Sequence, residues 1–410
     1  MQQFEDIISD TNVEFLFKIF ENSSKSNLFL VGGCVRDAMS KKNIIDVDFA
    51  TTCRPEKVIE ILDKNKIKHV DIGLKHGTVT AVINNKKFEI TTFRKDLKTD
   101  GRHAEVDFTK NIEEDAARRD FTINALYLDK NGKLYDFYGG TDDIREKKIK
   151  FIGDPEKRIS EDYLRIMRFF RFSAMMGLVN DNKDILDIFK NHHTKLKLIS
   201  KERLWHEFSG LLKAENPVNA LKEMQEVGIL EEHFCNAKIG QSFENLISIE
   251  TKIKYSINHI FRLGILLQNQ SVKIDEFINK FTLSKSEASE LASYSQINKK
   301  IVSYMSMQET RLLLYKLGVS RFQDEVIINW VNDPNTKNEV NWRSLCEVAS
   351  TFEKPKFDLE ARDVIGMGVS EGPLVGEILN EVEDWWAENG FIDDKFSLIE
   401  RLKAIAQARK

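Results

Sequence analysis

Apolar and polar positions alternate along this chain in patterns that change character about a third of the way through. Residues 12–22 repeat apolar positions at helical spacing, and Leu28 to Val31 form an apolar run that Gly32 and Gly33 interrupt. The run predicts a buried strand, with a helix able to begin at Cys34. A second apolar run carries Asp46 and Asp48, and Pro55 to Lys64 has a proline at a first helical position with Val58, Ile61 and Leu62 on one face. Gly77 to Asn84 and Lys87 to Arg94 each alternate, as the arms of a β-hairpin would. Residues 95–110 (KDLKTDGRHAEVDFTK) are expected to be a polar loop, either functional or the exposed end of a hairpin. Asn111 then predicts the cap of one helix through IEEDAARRDFTINALYL, with Glu114 completing a capping box. LYLDKNGKLYDFYGG reads as a hairpin with a type I′ turn at Asn131-Gly132. Beyond about residue 141 strand signals nearly vanish. There Ser160 predicts the start of a helix EDYLRIMRFFRFSAMMG, and Ser200 to Leu212 predicts another. The expected fold class is an α+β head, a small mixed sheet flanked by helices, followed by an all-α remainder.

Length and charge narrow this picture. A chain of 410 residues has room for two to four domains. A formal net charge of −4 excludes a surface coated in basic residues, so nucleic-acid contacts must come from local patches. Cys34, Cys53, Cys235 and Cys346 lie far apart and offer neither a disulfide framework nor zinc-site spacing. The acidic start MQQFEDIISD lacks signal-peptide character, and no stretch reaches the apolar length of a membrane span. The expectation is a soluble cytoplasmic protein. The histidines are dispersed apart from His192-His193, to which no role is assigned.

The candidate chemistry begins at residues 28–48. Gly32 and Gly33 let a phosphate approach the backbone, helix N–H groups face it, and Arg36 can add a charge-assisted fork. Asp46 and Asp48 fall on the same side of a strand, where two adjacent anions call for a divalent cation. Glu89, on the second hairpin arm, is either a solvent-face residue or a third ligand. Asp120 and Asn124 are four apart and share a helical face. Asp162 and Arg165, three apart, are either an ion pair or a base reader. Arginine only donates and an ionised aspartate only accepts, so side by side they match adenine and cytosine and reject uracil and guanine.

The segments LVGGCVRD and DVDFATT together resemble the nucleotidyltransferase signature of the polymerase-beta superfamily, in its tRNA-nucleotidyltransferase and bacterial poly(A)-polymerase branch. RRDFTINAL is similar to that family's second motif, DFYGGTDD to its third, EDYLR to the fourth motif EDxxR of the class II CCA-adding enzymes, and SKERLWHEFSGLL to the fifth. The resemblance covers roughly residues 28–212, in order. It implies a polymerase-beta-like head, and Mg2+ held by Asp46 and Asp48 with Glu89 as catalytic ligands. Triphosphate and ribose would be engaged by Gly32, Gly33, Arg36, Arg119, Asp120 and Asn124, and the base by Asp162 and Arg165. Asp100, Gly101 and Arg102 match the core of a flexible loop that helps switch nucleotide choice. Glu161 completes the EDxxR match, and Glu161, Glu202 and Arg203 would support the site structurally. A glycine-containing DFYGG segment would act as a hinge through Gly139 and Gly140. RDVIGMGVSEGPLVGEIL is similar to a tail element of bacterial CCA-adding enzymes and reads either as an RNA phosphate holder or as a helix corner.

The implied activity is template-independent CCA addition to the tRNA 3′ end from CTP and ATP, with no membrane partner. Poly(A) polymerase, a CC- or A-only enzyme, and an inactive RNA-binding relic remain open. The expected organisation is a head over 1–140, a helical neck over 141–215, a body over 216–300 and an RNA-binding tail over 301–410.

Overall fold

The computed structural model describes residues 4–24, 27–71, 73–99, 104–177, 183–268, 270–296, 301–391 and 394–409. Among the described residues nine strands are formed: β1 Leu28–Val31, β2 Val47–Thr51, β3 Lys68–Val70, β4 Thr78–Ile83, β5 Lys86–Thr92, β6 Arg94–Thr99, β7 Ala104–Phe108, β8 Leu126–Leu128 and β9 Leu134–Asp136. Seven of them make one mixed sheet in the order β3-β4-β5-β2-β1-β8-β9, and β6 with β7 makes a separate ribbon. Among the described residues only β2 and β5 run parallel, and their register sets Asp48 opposite Glu89. The helix Pro55–Lys64 supplies part of the crossover that a parallel pair requires, burying Val58, Ile61 and Leu62. The β4–β5 turn is the expected one, with Asn84 and Asn85 both at positive φ (50° and 62°). Phe29, Val31, Ala50, Phe93, Ala125 and Tyr127 form a core on the sheet, with Phe29 stacked on Phe93 at 5.8 Å.

Several expectations are corrected. Within 95–110, of the two readings, loop or hairpin end, the described residues take the second and pair as β6 and β7, because backbone pairing satisfies both strands whatever the charge of their side chains. Asp100, Gly101 and Arg102, assigned to the flexible loop, lie outside the described residues. The helix that begins at Ile112 ends at Ala117. The Asp120 carboxylate takes the Phe121 N–H at 2.9 Å, and Leu126–Leu128 is drawn into the sheet between β1 and β9. Asn111 caps that helix through the Glu113 N–H at 2.9 Å, but Glu114 meets the Thr109 hydroxyl instead of completing a capping box. The β8–β9 turn has only Gly132 at positive φ (77°). Asp129 dictates this by accepting from the Asn131 and Lys133 N–H groups, each at 2.9 Å.

The largest correction concerns residues 155–177. They form two helices, Pro155–Glu161 and Leu164–Met176, separated at Asp162, whose backbone is extended (φ −152°, ψ 106°). Asp154 caps the first, and the Asp162 carboxylate accepts from the Leu164 N–H at 3.1 Å at the head of the second. Ser160 caps neither, since its hydroxyl donates back to Lys157 O at 2.8 Å. Asp162 and Arg165 therefore do not share a helical face.

The chain divides into two compact units, residues 1–239 with 275–284, and residues 240–274 with 285–410. Within the second, described strands are absent, and an apolar core gathers Val364, Val375, Ile378, Val382, Trp386 and Leu402. The glycine-containing segment there joins the helices Ala361–Ile365 and Pro373–Glu388, and Val369 between them is buried in that core. Among the described residues no helix is long and apolar enough to cross a membrane.

Candidate active site

The site is assembled where β1, β2 and β5 meet the turn preceding β8. Gly32 ends β1 at φ 72° and opens the helix Gly33–Met39, a conformation that a side chain would strain. A Cβ there would lie 3.4 Å from the Arg119 guanidinium, and one on Gly33 would lie 3.6 Å from that of Arg36. The glycine pair thus faces two guanidiniums. Asp46, expected on the same strand face as Asp48, instead lies just ahead of β2, and Asp48 within β2 pairs in register with Glu89 on β5. Burial, together with the Glu89 and Asp46 charges, pushes the Asp48 carboxyl up to about 6, and Arg119 pulls the other way. A buried carboxylate repelled by two neighbouring acids suits a hard divalent cation.

Arg119 is itself held from behind. Its Nε donates to the Tyr127 hydroxyl at 2.9 Å and its Nη2 to Asp115 at 3.3 Å. Asp115, fully buried, also accepts from Tyr127 at 2.6 Å, from Arg118 at 2.9 Å and from the Arg94 N–H at 3.1 Å. Burial alone would raise the Asp115 pKa; Arg119 and Arg118 outweigh it and lower it. Sequence reasoning missed Asp115, although its spacing four residues before Arg119 was a usable signal.

A second polar chain links four segments. Arg168 donates to Asp120 at 2.6 Å, Asn124 donates to the other Asp120 oxygen at 3.1 Å, and Arg36 donates to Asn124 at 2.7 Å. The remaining Arg36 fork lies on Asp37 at 2.9 and 3.0 Å. In this structure Arg36 therefore orders Asn124 while its fork is engaged by a carboxylate. Burial would raise the Asp120 pKa, but Arg168 and Asn124 hold it below the ordinary carboxylate range. Arg36, Arg168 and Arg171 also surround the Phe172 ring at 4.9, 5.2 and 4.4 Å. Burial and the Arg168 and Arg36 charges push Arg171 downward against the pull of Glu207, so an added anion would be welcome there. Arg168 and Arg171 were also missed. The run of arginines at every third position from Arg165 was their signal.

Asp162 and Arg165 are held separately. Arg203 donates to Asp162 at 2.8 Å, and Arg165 donates to Glu161 at 2.8 Å and to Arg158 O at 2.6 Å. Arg158 in turn donates to the carbonyls of Arg118 and Arg119, both at 2.6 Å, joining this helix to the Arg119 segment. Glu202 accepts from the Thr282 hydroxyl at 3.1 Å.

Comparison with known proteins follows the same lines. Residues 28–150 match the family described as "Poly A polymerase head domain", and residues 182–237 match "Probable RNA and SrmB- binding site of polymerase A". The chain is 30% identical over 387 residues to the mitochondrial CCA tRNA nucleotidyltransferase 1 of Homo sapiens, covering 92% of this chain and 86% of that protein. It is 36% identical over 273 residues to the CCA-adding enzyme of Streptococcus gordonii, covering 66% and 67%. The solved Bacillus stearothermophilus CCA-adding enzyme in complex with CTP superposes with a TM-score of 0.74 at 26% identity, over 100% of this chain and 99% of that one.

Proposed function

The chain belongs to the class II CCA-adding enzyme and poly(A) polymerase head family of nucleotidyltransferases, and from that premise we propose that it adds C, C and A to the 3′ end of tRNA from CTP and ATP, releasing pyrophosphate. The observation that carries the reading is the Asp48–Glu89 pairing across β2 and β5, with Asp46 just ahead of β2 and Gly32 and Arg119 beside it. Asp46, Asp48 and Glu89 would hold magnesium, which when bound supplies the charge that activates the RNA 3′-hydroxyl and steadies the α-phosphate and pyrophosphate.

The protein's own residues do the rest by positioning and charge. Gly32 and Gly33 leave room for the triphosphate, and Arg119, held on Asp115 and Tyr127, meets it. Asp120 and Asn124, fixed by Arg168 and Arg36, engage the ribose. Asp162 and Arg165 read the base edge, each oriented by a partner, Arg203 and Glu161. The proposed organisation is a head to residue 140, a helical neck to 215, a body to 300 and a tail beyond it that contacts RNA.

The test is an incorporation assay with magnesium, a tRNA lacking its CCA end, and CTP and ATP separately and together. Addition of C, C and A followed by a stop is expected. A long A tail on unrelated RNA establishes the poly(A) polymerase instead, addition of C or A alone a partial enzyme, and no incorporation an RNA-binding relic. Asp46→Ala is expected to abolish transfer of either nucleotide. Arg165→Ala is expected to relax discrimination of C against U, and unchanged discrimination would overturn the base-reading role.

A further inference from the structure

Where the turn His193–Leu198 meets the helix Ile229–His233, a cluster of side chains plays no part in the site above. His193 opens a 3-10 turn, His193–Leu198, and Glu232 and His233 close the short helix Ile229–His233. Glu232 Oε2 lies 3.4 Å from His193 Nδ1, and Glu232 Oε1 lies 4.0 Å from His233 Nε2. Among the described residues this is the one trio of His, Cys, Asp or Glu whose ligand atoms all lie within 4.8 Å of one another. Ligands bound tetrahedrally at about 2.1 Å stand about 3.4 Å apart, so the trio is near the spacing of a transition-metal site.

A second observation points the same way. His193 Nδ1 and His233 Nε2 are both buried, and neither has a hydrogen-bond partner. His233 is only 3% exposed, so its orphaned lone pair is costly unless something binds it. The His193 backbone hydrogen-bonds the His233 ring, and with Nε2 unpartnered that contact falls to Nδ1. A ring that donates one nitrogen to a carbonyl presents the other as an acceptor, which is how metal-binding histidines are oriented. Gly228, at φ 86°, admits the His193 ring, since a Cβ there would lie 3.4 Å from its Cε1. Glu232, 42% exposed at its side chain, gives an ion a route in from solvent. The neighbouring His192 is turned away to stack on Tyr163 at 6.1 Å.

We propose that His193 Nδ1, His233 Nε2 and a Glu232 carboxylate oxygen form a zinc site, with solvent completing the coordination. Two imidazoles and one carboxylate suit zinc and other first-row transition ions, whereas magnesium and calcium prefer oxygen throughout. The site ties the turn after His192 to the helix ending at His233, and it is distinct from Asp46, Asp48 and Glu89.

The test uses the full-length protein, stripped with chelator and then titrated with zinc in excess magnesium, so that the Asp46, Asp48 and Glu89 acids are already occupied. One zinc per chain is expected to be retained, and cobalt substituted for it should give the visible absorption of a four-coordinate nitrogen and oxygen site. Glu232→Gln changes a half-exposed residue and leaves the fold undisturbed; it should weaken zinc by more than about tenfold, with His193→Gln costing as much or more. Zinc should raise the thermal midpoint of the wild type and of neither variant. No retained zinc, or equal affinity in wild type and both variants, overturns the proposal.

Discussion

Asp120 shows what a single buried carboxylate contributes here. It serves Arg168, Asn124 and the Phe121 N–H at once, and its pKa is lowered chiefly because the Arg168 charge outweighs burial. A carboxylate depressed in the folded state stabilises at pH values above its unfolded pKa of 3.8 and loses that contribution as pH falls through the lower folded value. Asp120→Asn should therefore lower the thermal midpoint at neutral pH, by a stability loss of about 3 kcal/mol. Its midpoint should converge on that of the wild type as the medium is acidified below pH 3.8, a comparison that melting curves across pH provide. Arg203 is a second residue with a local argument. It donates to Asp162, a candidate base reader, so Arg203→Ala should raise the KM for CTP and ATP by about tenfold with a smaller change in kcat. Arg203→Lys should recover part of the loss, as steady-state kinetics would show.

At the scale of elements, the segment around Gly139 and Gly140 separates two meanings of glycine. Gly139 sits at φ 73° in open space, whereas a Cβ on Gly140 would lie 2.2 Å from Thr122 O. The helix Gly140–Arg145 begins there because Asp136 accepts from the Tyr138, Gly140 and Thr141 N–H groups. Gly140→Ala should destabilise by about 1–3 kcal/mol through overpacking, and Gly139→Ala by about 1 kcal/mol through backbone strain alone. A hinge role for the segment predicts instead that both substitutions change kcat while the thermal midpoint stays fixed. The break at Asp162 makes the same general point: a pattern that reads as one helix becomes two when a side chain caps the backbone between them. Period and capping chemistry competed in that sequence, and only the contacts from Arg203 and Leu164 show which prevailed.

Over the whole molecule, the two units invite separate perturbation. In the second, Arg262 and Glu250 form an ion pair whose side chains are 1% and 4% exposed. Glu250→Ala removes the carboxylate partner of a buried arginine and should destabilise that unit by about 3–5 kcal/mol, while replacing both partners with apolar residues should cost far less. Calorimetry should register the loss, and CTP affinity at the β2–β5 site should be unaffected. The sequence by itself determined β1, the helix Pro55–Lys64, the β4–β5 hairpin and the helical character after residue 141, though not β3, because glycine turns, period-2 runs and helical spacing act over a few residues. What only the tertiary structure decided are meetings between distant positions. Glu89 comes beside Asp48 through a parallel register, Arg168 reaches Asp120 across 48 residues, and His193 meets His233 across 40. No local pattern encodes such pairings, since they follow from which apolar faces pack together and which buried polar groups must then find a partner.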